Sequence, residues 1–310
     1  MRLLWVLALA SLLLPAATAQ EAQPGPGVVL LVHHPDDGVD PLGFPFGGAQ
    51  DAFLARHGHF EVFSDTIAYP GFVADGRVPY EGLPATEGDA LDETFALYDA
   101  VVTMRHGQEP AATLTVNAAR AGDAWNVTVT IETSTDLGDG VRLWTALVED
   151  PVHYRPPTGL TNGVFDHPFT VRAVVEHGLA EPGTRNLTLT PDPAWSEPNL
   201  RLAVWVQQTA QDGRFDAREV VQATMHDLTS DTPTRQESRG VLIEGYSATW
   251  CEPCLVGDLA LEHLAEKHGL SPARAEDEGP TYFHAPPVWV LLLAAGAFAL
   301  FAAVRWPEAR

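Results

Sequence analysis

The sequence predicts a chain in which two α/β segments flank an all-β sandwich and a single transmembrane helix follows. Three observations predict this fold class. Residues 28–32 are apolar throughout, which is typical of a strand buried on both faces. Residues 110–229 contain repeated short segments in which apolar and polar residues alternate. A second apolar strand pattern at 241–243 leads into a helical pattern near the C-terminus.

The N-terminus has the pattern of a secretory signal peptide. Arg2 is followed by an apolar run at 3–14 and by the small residues Ala17-Thr18-Ala19, which suit a cleavage site. We therefore expect residues 1–19 to be removed and the remainder of the chain to be exported.

The C-terminus has the pattern of a membrane-spanning helix. Residues 288–304 are uncharged and largely apolar, and Trp289 and Trp306 stand where interfacial aromatic residues are common. The basic residues that follow the run predict a cytoplasmic C-terminus. The chain is thus expected to be a single-pass type I protein of the cell membrane with its bulk outside the cytoplasm. The predicted parts are a linker at 271–286, the transmembrane helix at 287–305 and a cytoplasmic tail at 306–310.

The composition excludes several kinds of partner and cofactor. The net charge is −23, with 41 acidic residues against 18 basic ones, and Lys267 is the only lysine. Such a surface repels nucleic acid and anionic lipid, so we expect no nucleic-acid partner. The 12 histidines show no spacing typical of a metal site. We expect no metal and no cofactor.

The segment at 28–107 is predicted to form a strand, a short helix, a β-hairpin and a second helix. A short helix is expected at 49–57, and Asp75-Gly76 predicts the turn of a β-hairpin. Apolar residues at helical spacing predict a second helix over 87–104.

The segment at 110–229 predicts a β-sandwich domain with seven strands separated by Gly, Pro and Asp turns. Two glycosylation sequons, which begin at Asn126 and Asn186, fall inside it. A polar linker is expected at 230–240. The seven strand patterns begin at Leu114, Val127, Leu143, Phe169, Leu187, Leu200 and Val221.

The two cysteines of the chain, Cys251 and Cys254, stand two residues apart at the start of the C-terminal helical pattern. A thiol at a helix N-terminus is favoured as thiolate, and a second thiol one turn later can resolve a mixed disulfide. The pair is therefore either a redox centre or a small structural loop, and its setting favours the redox centre.

The segment Trp250-Cys251-Glu252-Pro253-Cys254 stands between a strand pattern at 241–244 and a helical pattern at 255–268. In this arrangement the sequence around the cysteines resembles the thioredoxin superfamily. Combined with the sandwich, the chain also resembles the Omp28-related family of outer-membrane proteins, although the order of its parts differs.

This resemblance implies a circularly permuted thioredoxin-like domain whose halves, 28–105 and 240–270, enclose the sandwich. The strand at 241–246 is then expected between 28–32, in parallel, and 72–74, in antiparallel orientation. The alternative is an unrelated N-terminal α/β domain with a degenerate redox hairpin near the membrane.

The resemblance also implies roles for individual residues. Cys251 would be the nucleophile and Cys254 the resolving thiol. Trp250 and Pro253 would shape the surface that contacts the substrate, and Tyr69-Pro70 would form a cis-proline junction that pairs with the substrate backbone.

The resemblance also implies a proton acceptor for the second thiol. Thioredoxins commonly carry a buried acid six positions before the first cysteine, where this chain has Gly245. The neighbouring Glu244 is the candidate acceptor, although alternation along a strand would place it on the opposite face.

These expectations combine into a membrane-anchored, extracytoplasmic thiol–disulfide oxidoreductase that acts on protein disulfides and exchanges electrons with an unidentified donor or acceptor. The alternative is a cell-surface binding protein whose sandwich carries the function and whose Cys251–Cys254 bond is structural.

Overall fold

The computed structural model describes residues 20–33, 71–81, 90–154, 165–209, 218–247 and 252–270. Within these ranges the chain forms fifteen strands, two α-helices and one turn of 3-10 helix. All described residues except 153–154 and 165–166 belong to one compact unit.

The elements are numbered in chain order. The helices are α1 (Ala90–His106) and α2 (Glu252–Lys267), and the 3-10 turn is Glu197–Asn199. The strands are β1 (Gln23–Pro24), β2 (Val28–His33), β3 (Gly71–Ala74), β4 (Val78–Glu81), β5 (Thr113–Ala121), β6 (Ala124–Glu132), β7 (Val141–Glu149), β8 (Val152–Tyr154), β9 (Phe165–His167), β10 (Thr170–Leu179), β11 (Gly183–Leu189), β12 (Leu200–Gln208), β13 (Val220–Asp227), β14 (Thr234–Gln236) and β15 (Val241–Tyr246).

The strands form two mixed sheets and a separate ribbon. The smaller sheet has the order β1-β14-β5-β6-β11, and the larger has the order β13-β12-β7-β10-β2-β15-β3-β4. β8 pairs with β9 alone. Three pairings are parallel, β1 with β14, β10 with β2 and β15 with β2, and the others in the two sheets are antiparallel.

The β-sandwich is present. Alternate residues of β5 and β6 in the smaller sheet and of β7 and β12 in the larger one share a single buried apolar cluster. Burial of each Val or Leu side chain in such a cluster stabilises the folded state by about 1.5–3 kcal/mol. All seven predicted strands are observed, as β5, β6, β7, β10, β11, β12 and β13.

The predicted fold class is wrong. The described chain is mostly β-structure, and the segments assigned to a permuted thioredoxin-like α/β domain do not form a domain of their own. β2, β15, β3 and β4 instead extend the sheet that carries the sandwich strands. The physical reason lies in β2, which is buried on both faces and along its whole length, and therefore needs a neighbour on each side. β15 takes one side, and β10 takes the other through Thr170, which pairs with Val32.

The predicted position of the strand before the cysteines is confirmed. β15 runs parallel to β2, with Val241 opposite Val28 and Gly245 opposite Val32. On its other side it runs antiparallel to β3, with Gly245 opposite Phe72. The predicted hairpin is also confirmed, because β3 pairs with β4 across the turn at Asp75 and Gly76.

The predicted polar linker at 230–240 is wrong. Three of its residues form β14, which pairs with β5 on one side and β1 on the other. Its inward side chains are polar but bonded: Thr234 shares a hydrogen bond of 3.0 Å with Nδ1 of the buried His226. Burial lowers the pKa of His226, which keeps the imidazole neutral there. No apolar pattern marks this strand in the sequence, because its buried side chains are polar and form hydrogen bonds.

Several predicted segments lie outside the described residues, namely the signal peptide at 1–19, the helix at 49–57, the linker at 271–286, the transmembrane helix at 287–305 and the tail at 306–310. No helix in the described part of the chain is long and apolar enough to cross a membrane.

Asp75 joins the parts of the larger sheet. It lies in the β3–β4 turn with a φ of 47° and is 0% exposed. Its carboxylate accepts hydrogen bonds from Arg105 of α1 at 2.7 Å, from Arg239 at 2.9 Å and from the backbone N–H of Leu242 in β15 at 2.8 Å. Its backbone carbonyl accepts a further hydrogen bond from Val220 of β13 at 3.0 Å.

Candidate functional site

Cys254 lies in the first turn of helix α2, which follows the buried strand β15 along the chain. Every residue of β15 is buried. Cys254 is the third residue of α2, is 1% exposed and is disulfide-bonded. Cys251 is the only other cysteine of the sequence. The strand and the helix that were predicted on either side of the cysteine motif are therefore observed.

Most of the other predicted contact residues cannot be placed. Cys251, Trp250, Tyr69 and Pro70 lie outside the described residues, so the contact between Pro70 and the cysteine pair stays a prediction. Pro253 is the second residue of α2, where its missing N–H costs the helix no hydrogen bond.

Helix α2 covers the face of β15 that Gly245 presents. A Cβ added at Gly245 would lie 2.9 Å from Cδ1 of Leu261 in α2. Because side chains alternate along a strand, Ser247 faces α2 as well, and Glu244 faces the opposite side of the sheet. The space beside Gly245, where a thioredoxin would carry a buried acid, is therefore occupied by the Leu261 side chain of α2.

Glu244, the predicted proton acceptor, is hydrogen-bonded to a histidine, and its role in proton transfer stays a prediction. Its Oε1 lies 3.1 Å from Nε2 of His33 at the end of β2, and both side chains are 0% exposed. The hydrogen bond joins two polar side chains that are fully buried in the sheet. This pair lies on the face of β15 that turns away from α2.

The acid on the helix side of β15 is Asp258, which the sequence analysis missed. Ser247, just after β15, donates a hydrogen bond of 2.9 Å from its Oγ to Asp258 Oδ2. Nδ1 of His167 lies 3.8 Å from the same oxygen. Asp258 is 7% exposed and stands four residues after Cys254. Residues four apart share one face of a helix, so this spacing was the signal that could have identified it.

Helix α1 holds α2 in place. Val102 of α1 and Leu264 of α2 are buried in the same apolar cluster as the β2 and β15 side chains. At the ends of the helices the rings of His106 and His268 stack with centroids 5.6 Å apart. Burial, and then the neighbouring His106, lowers the pKa of His268. Helix α2, whose first turn contains Cys254, is thus packed against α1.

The two predicted glycosylation sequons lie side by side on the sandwich. In the register of β6 and β11, Asn126 stands opposite Thr188 and Asn186 opposite Thr128. Both asparagines are exposed, and Thr128 donates a hydrogen bond of 3.2 Å to Asn186 Oδ1. This exposure leaves both amides accessible to modification, and their glycosylation stays a prediction.

No group of three or more metal-ligating side chains occurs in the described part of the chain. The described part of the site contains the disulfide-bonded Cys254, the buried carboxylate of Asp258 and its hydrogen-bonding partner Ser247.

Comparisons with known proteins do not identify a family. No family model matches the chain, and no curated protein matches it either. Sixteen solved chains match in structure. HBP35 of Porphyromonas gingivalis aligns with a TM-score of 0.40 and 12% identity, over 58% of this chain and 61% of that one. Protein AGR_C_4864 of Agrobacterium tumefaciens aligns with a TM-score of 0.40 and 17% identity, over 68% of this chain and 97% of that one. The curli protein CsgC of E. coli aligns with a TM-score of 0.14 and 12% identity, over 40% and 95%. TM-scores this low carry no conclusion about family or function.

Proposed function

We propose that this protein is a thiol–disulfide oxidoreductase that acts on protein disulfides through Cys251 and Cys254. The observation that carries the proposal is the position of Cys254, buried and disulfide-bonded in the first turn of a helix that follows a fully buried strand. A disulfide that closes a loop of two intervening residues constrains little of the unfolded chain, so it contributes little to stability.

The placement at a helix start favours thiolate chemistry. The free N–H groups and the helix dipole place partial positive charge at the N-terminus of α2. That charge stabilises an anionic sulfur more than a neutral thiol, and therefore favours the nucleophilic form of Cys251 at neutral pH.

The proposed reaction transfers two electrons. The Cys251 thiolate attacks one sulfur of the substrate disulfide, so that a mixed disulfide forms and the other substrate sulfur leaves as thiolate. The Cys254 sulfur, after losing its proton, attacks the sulfur of Cys251 and releases the second substrate thiolate. The protein is left with its own disulfide, and a dithiol donor must reduce it before the next cycle.

Loss of Cys251 should abolish this activity. We expect Cys251→Ser to lower the reduction rate of a protein disulfide by at least about 100-fold, because a hydroxyl cannot replace a thiolate as nucleophile at neutral pH. Turnover with dithiothreitol as electron donor measures the rate. The matched control is His263→Gln, at an exposed position of the same helix, which should keep wild-type turnover. Undiminished turnover in Cys251→Ser would rule out this motif as the redox centre.

A further inference from the structure

We propose that Asp258 accepts the proton of the Cys254 thiol during resolution of the mixed disulfide. This inference rests on the proposed function, because it concerns the second step of the same reaction. It assigns to a residue of α2 a task for which the sequence had suggested a residue of β15.

Asp258 stands next to Cys254 by the geometry of the helix. Side chains four residues apart lie on the same helix face with their Cβ atoms about 5–6 Å apart. Both side chains are buried, at 1% exposure for Cys254 and 7% for Asp258. Cys254 and Asp258 are thus two buried side chains on one face of α2, the face from which Asp258 contacts Ser247 just after β15.

The chemistry of the second step needs such a group. Only the thiolate attacks a disulfide, and a buried thiol has little access to water that could take its proton. A carboxylate beside it can receive the proton as the sulfur becomes nucleophilic, and can return it when the disulfide is reduced again.

The contacts of Asp258 fix its carboxylate for this role. The hydroxyl of Ser247 and the ring nitrogen of His167 both approach Oδ2. Among the described residues no hydrogen bond reaches Oδ1 of Asp258, so this oxygen is available to the thiol. Glu244 is less well placed for the role, because it lies on the other face of β15, where its carboxylate is hydrogen-bonded to His33.

The two steps can be timed separately with 5,5′-dithiobis(2-nitrobenzoate), which releases one coloured thiol when Cys251 attacks and a second when Cys254 resolves. We expect Asp258→Asn to leave the first release unchanged and to slow the second at least tenfold at pH 7. The slow phase should accelerate as pH rises, because hydroxide then replaces the missing base. Asp258→Glu should recover part of the rate, and Glu266→Gln, an exposed position of α2, should match the wild type.

The outcomes separate this inference from the proposed function. A folded Asp258→Asn that resolves at the wild-type rate would overturn the role of Asp258 and leave the proposed function intact. Wild-type protein that shows no second release would overturn both. If Asp258→Asn does not fold, Ser247→Ala serves instead, since it removes the hydrogen bond that orients the carboxylate. It should slow the second release two- to fivefold without changing the first, and equal rates would again overturn the inference.

Discussion

Replacing Asp75 by alanine is expected to lower the free energy of unfolding by about 3–5 kcal/mol, because it removes the carboxylate partner of the buried Arg239 and one of the two carboxylate partners of Arg105. Arg105 and Arg239 both direct their guanidinium groups at this carboxylate, and their side chains are 5% and 3% exposed. The substitution also removes the acceptor for the N–H of Leu242 at the start of the strand that leads to the cysteines. Urea unfolding measures the loss.

Two variants make this result interpretable. Asp75→Asn keeps an acceptor for Leu242 and tolerates the positive φ of the turn, so it should be destabilised less than Asp75→Ala. Asp231→Ala, at an exposed loop position, should change the free energy of unfolding by less than about 0.5 kcal/mol. The result would contradict this account if the free energy of unfolding of Asp75→Ala lay within about 1 kcal/mol of the wild-type value, roughly as for a surface substitution. The hydrogen bonds of Asp75 would then not join the parts of the larger sheet as described.

Replacing Cys254 by serine is expected to convert the protein into a covalent trap for its substrates. Cys251 would still attack a substrate disulfide, but no second thiol would release the product, so mixed disulfides would accumulate. Multiple turnover should fall at least about 100-fold while single attack persists. Non-reducing electrophoresis after rapid acid quenching and alkylation detects the adducts.

The control for this trap is Cys251→Ser, which should form no adducts although it retains Cys254. Burial explains the asymmetry, since a side chain that is 1% exposed cannot meet the disulfide of another protein. Adducts in Cys251→Ser that equal those in Cys254→Ser would show that the order of attack is not the one proposed.

The sequence predicted local elements and one long-range pairing well. Runs that are apolar on both faces, such as 28–32 and 241–243, indicated buried strands, and the resemblance to thioredoxins placed β15 next to β2, as the structure has it. The seven sandwich strands were visible because their inward positions are apolar and their outward positions polar.

The pairing of β10 with β2, which joins the two parts of the larger sheet, could not be predicted in the same way. The pairing of Thr170 with Val32 involves a polar residue at the start of β10 and leaves no periodic signal. The predicted fold class was therefore wrong. It assigned β2, β15, β3 and β4 to a separate domain, whereas these strands continue the larger sheet of the sandwich.

The candidate site was predicted in part for a related reason. Cys251 and Cys254 were found from their spacing, whereas Asp258 gains its significance from burial and from Ser247, which lies eleven residues away. Which residues contact a buried acid on a helix depends on how that helix packs against the sheet. A sequence pattern shows the helix face but not the strand residues beneath it.

The reduction potential of the Cys251–Cys254 disulfide tests the central claim most directly. It is measured by equilibrating the protein with dithiothreitol or glutathione redox buffers and quantifying free thiols. We predict a potential above about −300 mV, in the range of disulfides that exchange with cellular thiols. A potential clearly below about −300 mV would mean that the bond is structural, and would favour a binding protein whose function lies in the sandwich.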